Sequence, residues 1–159
     1  ILVLATIGAP LLLNRGSNAT VIDALNELEL LCICAQHHAY ASNEQQVVTI
    51  NTQKKLCTLA TKRQSWQVKL PASCRFGFIP NTLGPPADPV GKVTQAVTFP
   101  YENKQFRILF EPTGIVSAGS MYIIDKDAYQ QGALTCGVSQ VSYIRKYEYN
   151  RNSWQLLKT

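Results

Sequence analysis

The sequence reads as an α+β protein in which a long N-terminal α-helix packs on an antiparallel β-sheet or sandwich head. Three observations point there. Residues 1–13 carry no charge, and a helical apolar pattern follows them to about residue 44. From about residue 46 onward, short β-branched and aromatic runs alternate with turn signals. Turns spaced roughly 8–12 residues apart mark antiparallel sheet rather than βαβ units. The 159 residues therefore divide into an N-terminal helix over 1–44 and a β head over 45–159, a head long enough to bury one real core.

Residues 1–13 (ILVLATIGAPLLL) are too few to cross a bilayer, which needs roughly 20 apolar residues. They lack the basic start and small-residue cleavage site of a secretory signal. They read as the tail of a longer apolar helix, softened by Gly8 and Pro10, the competing account being a buried core helix or strand of a soluble domain. Asn14, Arg15, Gly16 and Ser17 loosen the helix, and Ser17 can recap it. Val21, Ala24, Leu25, Leu28, Cys32, Ala35 and Ala39 then recur at helical spacing, widened by Leu31 and His38, with Asp23, Glu27, Glu29 and Gln36 off the main line. Asn43 is the expected stop, because Asn tolerates the left-handed conformation.

In the head, Val47, Val48, Thr49 and Ile50 form a short strand, and residues 51–54 a turn. Residues 55–60 and 65–70 alternate as strands do. Residues 79–90, with Pro80, Pro85, Pro86 and Pro89, read as loop. Further strands are expected over 92–99, 106–110, 120–124, 133–139 and 142–149, with Trp154 in a last short strand or docked tail.

Composition is that of a globular protein, 46% hydrophobic and 16% charged, which excludes a disordered or collagen-like chain. Charge is uneven. Residues 1–44 set Arg15 against four carboxylates, a net −3, whereas residues 45–159 set 14 Lys/Arg against six, a net +8. A basic head suits nucleic acid, an acidic partner or anionic glycans, or is simply a soluble surface. None of the five cysteines lies in a C-x-x-C pair. In an exported protein one bridge can form among Cys57, Cys74 and Cys136, and Cys57–Cys74 closes the shortest loop. The alternative is five reduced, buried thiols acting as small hydrophobes.

Catalytic signals are sparse. His37 and His38 are the chain's two histidines. Cys34 and His38 share a helix face, but two ligands do not make a zinc site, and a Cys–His pair here lacks an orienting third group. No phosphate loop, nucleophile elbow or EF-hand loop is present. Asp125 and Asp127 fit a solvated turn, and Asn18-Ala19-Thr20 matches a glycan acceptor pattern by three residues only. No catalytic residue, metal or cofactor is expected. The stronger lead is a basic face of Arg145, Lys146, Arg151 and Lys158 interleaved with Tyr147 and Trp154, suited to a nucleic-acid backbone. An edge guarded against aggregation reads the same way.

Four stretches carry a family resemblance. Residues 1–13 resemble the back half of an apolar assembly helix. Residues 35–50 (AQHHAYASNEQQVVTI) are similar to an "ARSEAI…N…PVTL" helix–strand junction, with Gln36 and His37 in place of Arg and Ser. Residues 108–120 (ILFEPTGIVSAGS) are similar to an "i-x-F-x-P-x-G" segment, and residues 138–154 (VSQVSYIRKYEYNRNSW) to a terminal "G-R-v" strand, with Tyr143 where glycine is usual. The pattern resembles type IV pilin-like proteins, and within them the H-type minor pseudopilins of type II secretion and related minor pilins. The resemblance implies a non-catalytic subunit, processed and methylated, held in the bacterial inner membrane with a periplasmic head. It is then extracted into a pseudopilus, near its tip, through Ile1, Leu2, Val3, Leu4, Ile7, Leu11 and Leu12 packing on other pilin-like subunits. An oxidising periplasm would permit the Cys57–Cys74 bridge. A minor pilin whose basic face captures DNA, and an anchored surface enzyme, are the rival expectations.

Overall fold

The computed structural model describes residues 20–138 and 141–158, so the expected assembly-helix residues between Ile1 and Leu12, and Ser17, lie outside the described residues. Helix α1 (Val21–Ser42) begins at Thr20, not Ser17. Thr20 is extended (φ −99°, ψ 170°) and forms a capping box. The Asp23 N–H donates to Thr20 Oγ1 (3.2 Å), and the Thr20 N–H donates to Asp23 Oδ2 (2.8 Å), satisfying two otherwise orphan donors. The helix stops at Asn43 in the left-handed region (φ 53°, ψ 33°), as expected.

Among the described residues the head holds twelve strands: β1 (Gln46–Asn51), β2 (Leu56–Ala60), β3 (Ser65–Lys69), β4 (Cys74–Phe76), β5 (Leu83–Gly84), β6 (Gly91–Lys92), β7 (Tyr101–Glu102), β8 (Gln105–Phe110), β9 (Gly119–Asp125), β10 (Gln131–Val138), β11 (Ser142–Asn150) and β12 (Ser153–Leu157). They make two five-stranded antiparallel sheets, ordered β3-β2-β1-β8-β7 and β12-β11-β10-β9-β4, and a small β5–β6 hairpin. The expected α+β architecture, one N-terminal helix with antiparallel sheets, is what is observed.

Helix α1 packs on strands of both sheets. Its buried stripe is Val21, Ala24, Leu25, Leu28, Leu31, Cys32, Ala35 and Ala39. These side chains share one apolar core with Val48, Ile50, Cys57 and Leu59 of the first sheet and Met121, Ile123, Leu134 and Cys136 of the second. Small residues bring helix and sheet close. A Cβ on Gly132 would sit 2.5 Å from Leu25 Cδ1 and 3.1 Å from the Tyr147 carbonyl oxygen.

Two expectations need correcting. Residues 92–99 do not form a strand. The outer edge of β9 is already occupied over half its length by β4, so only a short piece of chain fits beside the rest. That piece pairs through the Val97–Met121 bridge, flanked by the Tyr122 N–H to Ala96 O (2.8 Å) and Thr98 N–H to Ser120 O (2.9 Å) bonds. The proline-rich stretch, expected as loop throughout, includes the two-residue β5 and is otherwise loop. It lies against the outer face of the second sheet, where Trp154 Nε1 donates to the Leu83 carbonyl (2.6 Å) and Gly84 passes close to Tyr122. Tyr122, Ile124, Ala133 and Thr135, which would otherwise face water, are buried. Proline keeps its own position out of a ladder, but bars neither its neighbours from pairing nor the stretch from packing.

Gly132→Val is expected to unfold at a markedly lower temperature than the parent. The new methyls have no room between α1 and β10, and overpacking of this kind costs about 1–3 kcal/mol. Thermal unfolding by circular dichroism checks this, with Gly91→Ala, where the added Cβ meets nothing within 4 Å, as the neutral comparison.

Candidate functional site

The residues that could carry chemistry or recognition are a charged pin between α1 and β11, a group of thiols in the core, and the basic residues of the C-terminal hairpin. Strand alternation places Ile144, Lys146 and Glu148 of β11 on the side facing α1 and Tyr143, Arg145, Tyr147 and Tyr149 on the other. Lys146 is therefore 6% exposed. Its ammonium sits 2.6 Å from Glu29 Oε2 and donates to Asn26 Oδ1 at 2.8 Å. Glu29, expected off the buried line, is 7% exposed and belongs to it. A charge is tolerated there because its partner is delivered from the sheet.

This geometry dissolves the expected basic face. Lys146 points inward and is neutralised. Arg145 is exposed on the opposite side, its guanidinium 4.4 Å from the Tyr143 ring centre. Lys158 follows β12 beside Arg145, and the two border an open depression of about 440 Å³ lined by Tyr143, Leu156 and the Glu29–Lys146 pair. Arg151 sits with Asn152 in a two-residue turn, φ 48° and 64°, joining β11 to β12. That turn lies about 20 Å along the strand from Arg145, at roughly 3.3 Å per residue. The four cations do not form one surface for a phosphate backbone.

Cys57 and Cys74 are both buried thiols and no bridge joins them. The thiols that meet are others. Cys32 of α1 lies between Cys57 of β2 and Cys136 of β10. Burial, with a smaller contribution from Cys32, pushes the Cys57 thiol well up. A hydrogen bond with Cys32, then burial, pushes Cys136 well up. Tyr122 is raised by burial, opposed by a hydrogen bond with Ser120. Thiols held protonated are poor nucleophiles.

His38 packs its ring on Trp66 of β3 (4.8 Å between centres) and His37 is exposed. Asp125 holds a turn, accepting from the Gln130 N–H at 3.0 Å. Among the described residues no three His, Cys, Asp or Glu side chains are placed to hold a metal ion. No described helix is long and apolar enough to cross a membrane. Sequence reasoning missed the Glu29–Lys146 pair, yet Glu29 stands four residues after Leu25 and three before Cys32, on the buried stripe.

No family model matches the chain, and no curated protein does. Among solved structures the chain is similar to the minor pseudopilin EpsH from the type 2 secretion system of Vibrio cholerae. The identity is 11%, the TM-score 0.47, and 84% of this chain and 93% of that chain are covered. At that identity and score the likeness carries no functional weight.

Glu29→Ala is expected to cost about 3–5 kcal/mol, because it strands a buried ammonium. The double change Glu29→Leu with Lys146→Met should be near neutral or stabilising. Denaturant unfolding of the three proteins checks both outcomes. Stability should also fall as pH rises past about 9, the ordinary thiol value being 9.0. Thiols held protonated by the fold contribute their full stabilisation below the unfolded value and lose it above, by up to about 1.4 kcal/mol per pH unit for each thiol. Replacing Cys57 and Cys136 by Ala should flatten that alkaline slope in unfolding curves measured from pH 7 to 10.

Proposed function

We propose that the chain is a non-catalytic assembly subunit of the pilin type, a minor pseudopilin of a type II secretion pseudopilus positioned near its tip. The observation that supports this most directly is the double role of the N-terminal portion. Thirteen uncharged residues lead toward a helix that is built into the head's own core from Val21 to Ala39. A subunit drawn into a fibre by its apolar segment must carry its head along without unravelling. A helix buried against both sheets transmits that load directly. The sequence resemblance described above points to the family. The uncharged segment would leave lipid for the corresponding segments of sister subunits, and the head would contact neighbours on the fibre surface. Capture of DNA by the basic face is the weaker reading, since Lys146 is ion-paired in the interior.

A photo-reactive phenylalanine analogue at Leu4 or Ile7, in the full chain expressed in its native host, tests this. Cross-links to pilin-like sister subunits are the expected result. Cross-links confined to this chain's own head would overturn the proposal. Removing residues 1–13 should abolish the inter-subunit products and leave the head's melting temperature unchanged.

A further inference from the structure

Strand β3 is the outermost strand of the first sheet. Its hydrogen-bond phase is fixed at both ends: the Leu70 N–H donates to Lys55 O (2.8 Å) and the Thr61 N–H to Gln64 O (2.8 Å). The pairs made by Trp66 and Val68 with β2 are therefore the bonded ones. Ser65, Gln67 and Lys69 turn their backbone N–H and C=O groups away from the sheet. Among the described residues nothing pairs with that edge. Along it, the side chains of Ser65, Gln67 and Lys69 are exposed, while Trp66 and Val68 are half-buried toward α1.

The charge around this edge is one-sided. From residue 45 to residue 87 the chain carries Lys54, Lys55, Lys62, Arg63, Lys69 and Arg75 and not one carboxylate. Glu44, just before, is 2.6 Å from Lys62. Arg63 and Lys69 flank β3 at its two ends, both exposed.

We infer that the free edge of β3 is a docking site for an extended acidic polypeptide segment, which adds to the first sheet as a further strand. The backbone groups of Ser65, Gln67 and Lys69 would supply its ladder. Its carboxylates would lie on the face carrying Lys69 and Arg63, and its alternate apolar side chains would cover the half-exposed Trp66 and Val68. The same charges exclude a second copy of this chain. Antiparallel pairing of β3 with itself about Gln67 brings Arg63 and Lys69 of both copies to one seam, and like charges across a ladder are destabilising. The surface is independent of the assembly proposal and stands or falls separately.

The probe is a synthetic peptide of about eight residues alternating Glu and Val, added to the full chain at low salt, with backbone amide exchange followed residue by residue. Protection is expected at Ser65, Gln67 and Lys69. Affinity should fall about tenfold between about 50 and 500 mM salt, and the Lys/Val counterpart should not bind. Gln67→Pro removes an outward N–H without taking a bond from β2 and should abolish protection. Arg63→Glu with Lys69→Glu should reverse the preference toward the Lys/Val peptide. An unchanged melting temperature certifies that each variant is folded. Protection elsewhere, no protection, or indifference to both variants overturns the inference. So does duplex DNA that displaces the peptide and still binds Gln67→Pro, which would make the surface a phosphate-binding patch.

Discussion

Everything in this molecule depends on the burial of one helix against two sheets. Leu25, Leu28 and Leu31 of α1 are essentially removed from water. Each such leucine contributes about 1.5–3 kcal/mol, so the three together contribute roughly 5–9 kcal/mol. That is comparable with the whole net stability of a domain this size, about 5–15 kcal/mol. Neither sheet keeps its inner face dry without the helix, so the helix cannot leave without unfolding the head. The apparent division into stalk and head is, for residues 21–42, a division in sequence only.

Within that dry interface the Glu29–Lys146 pair acts differently from the leucines. A buried ion pair adds little net stability, because desolvation offsets the attraction. It does penalise misplacement. Sliding α1 by one turn against β11 would part the Lys146 ammonium from both the Glu29 carboxylate and the Asn26 Oδ1 that accept from it. Apolar contacts alone tolerate such slips. The pin therefore selects the seating of the helix, and the leucines hold it there.

The elements legible in the sequence were those whose signal is local. The stripe from Val21 to Ala39 follows the helical period, Asn43 carries its own left-handed preference, β1 is rich in β-branched residues, β2 and β3 alternate, and β8 to β12 are short runs set between turn signals. What was illegible depends on partners far along the chain. Glu29 and Lys146 lie on different elements, so nothing near either residue announces the other. The stretch 92–99 has strand-like composition, but β4 had already taken half of the edge it would have used. The prolines between Pro80 and Pro89 leave room only for the two-residue β5, and nothing local announces that the same stretch roofs the second sheet. The basic face is divided for a related reason: consecutive residues of a strand face opposite ways, so Lys146 turns to α1 while Arg145 turns away from it.

The extended backbone at Thr20 has one further implication. A capping box closes a helix: the residue that accepts the first turn's donors has itself left the helical path. The direction of α1 therefore does not dictate the direction of the chain arriving at Thr20. From Val21 onward the helix takes its heading from the two sheets it is buried against, and the cap completes its first turn without a preceding helical turn.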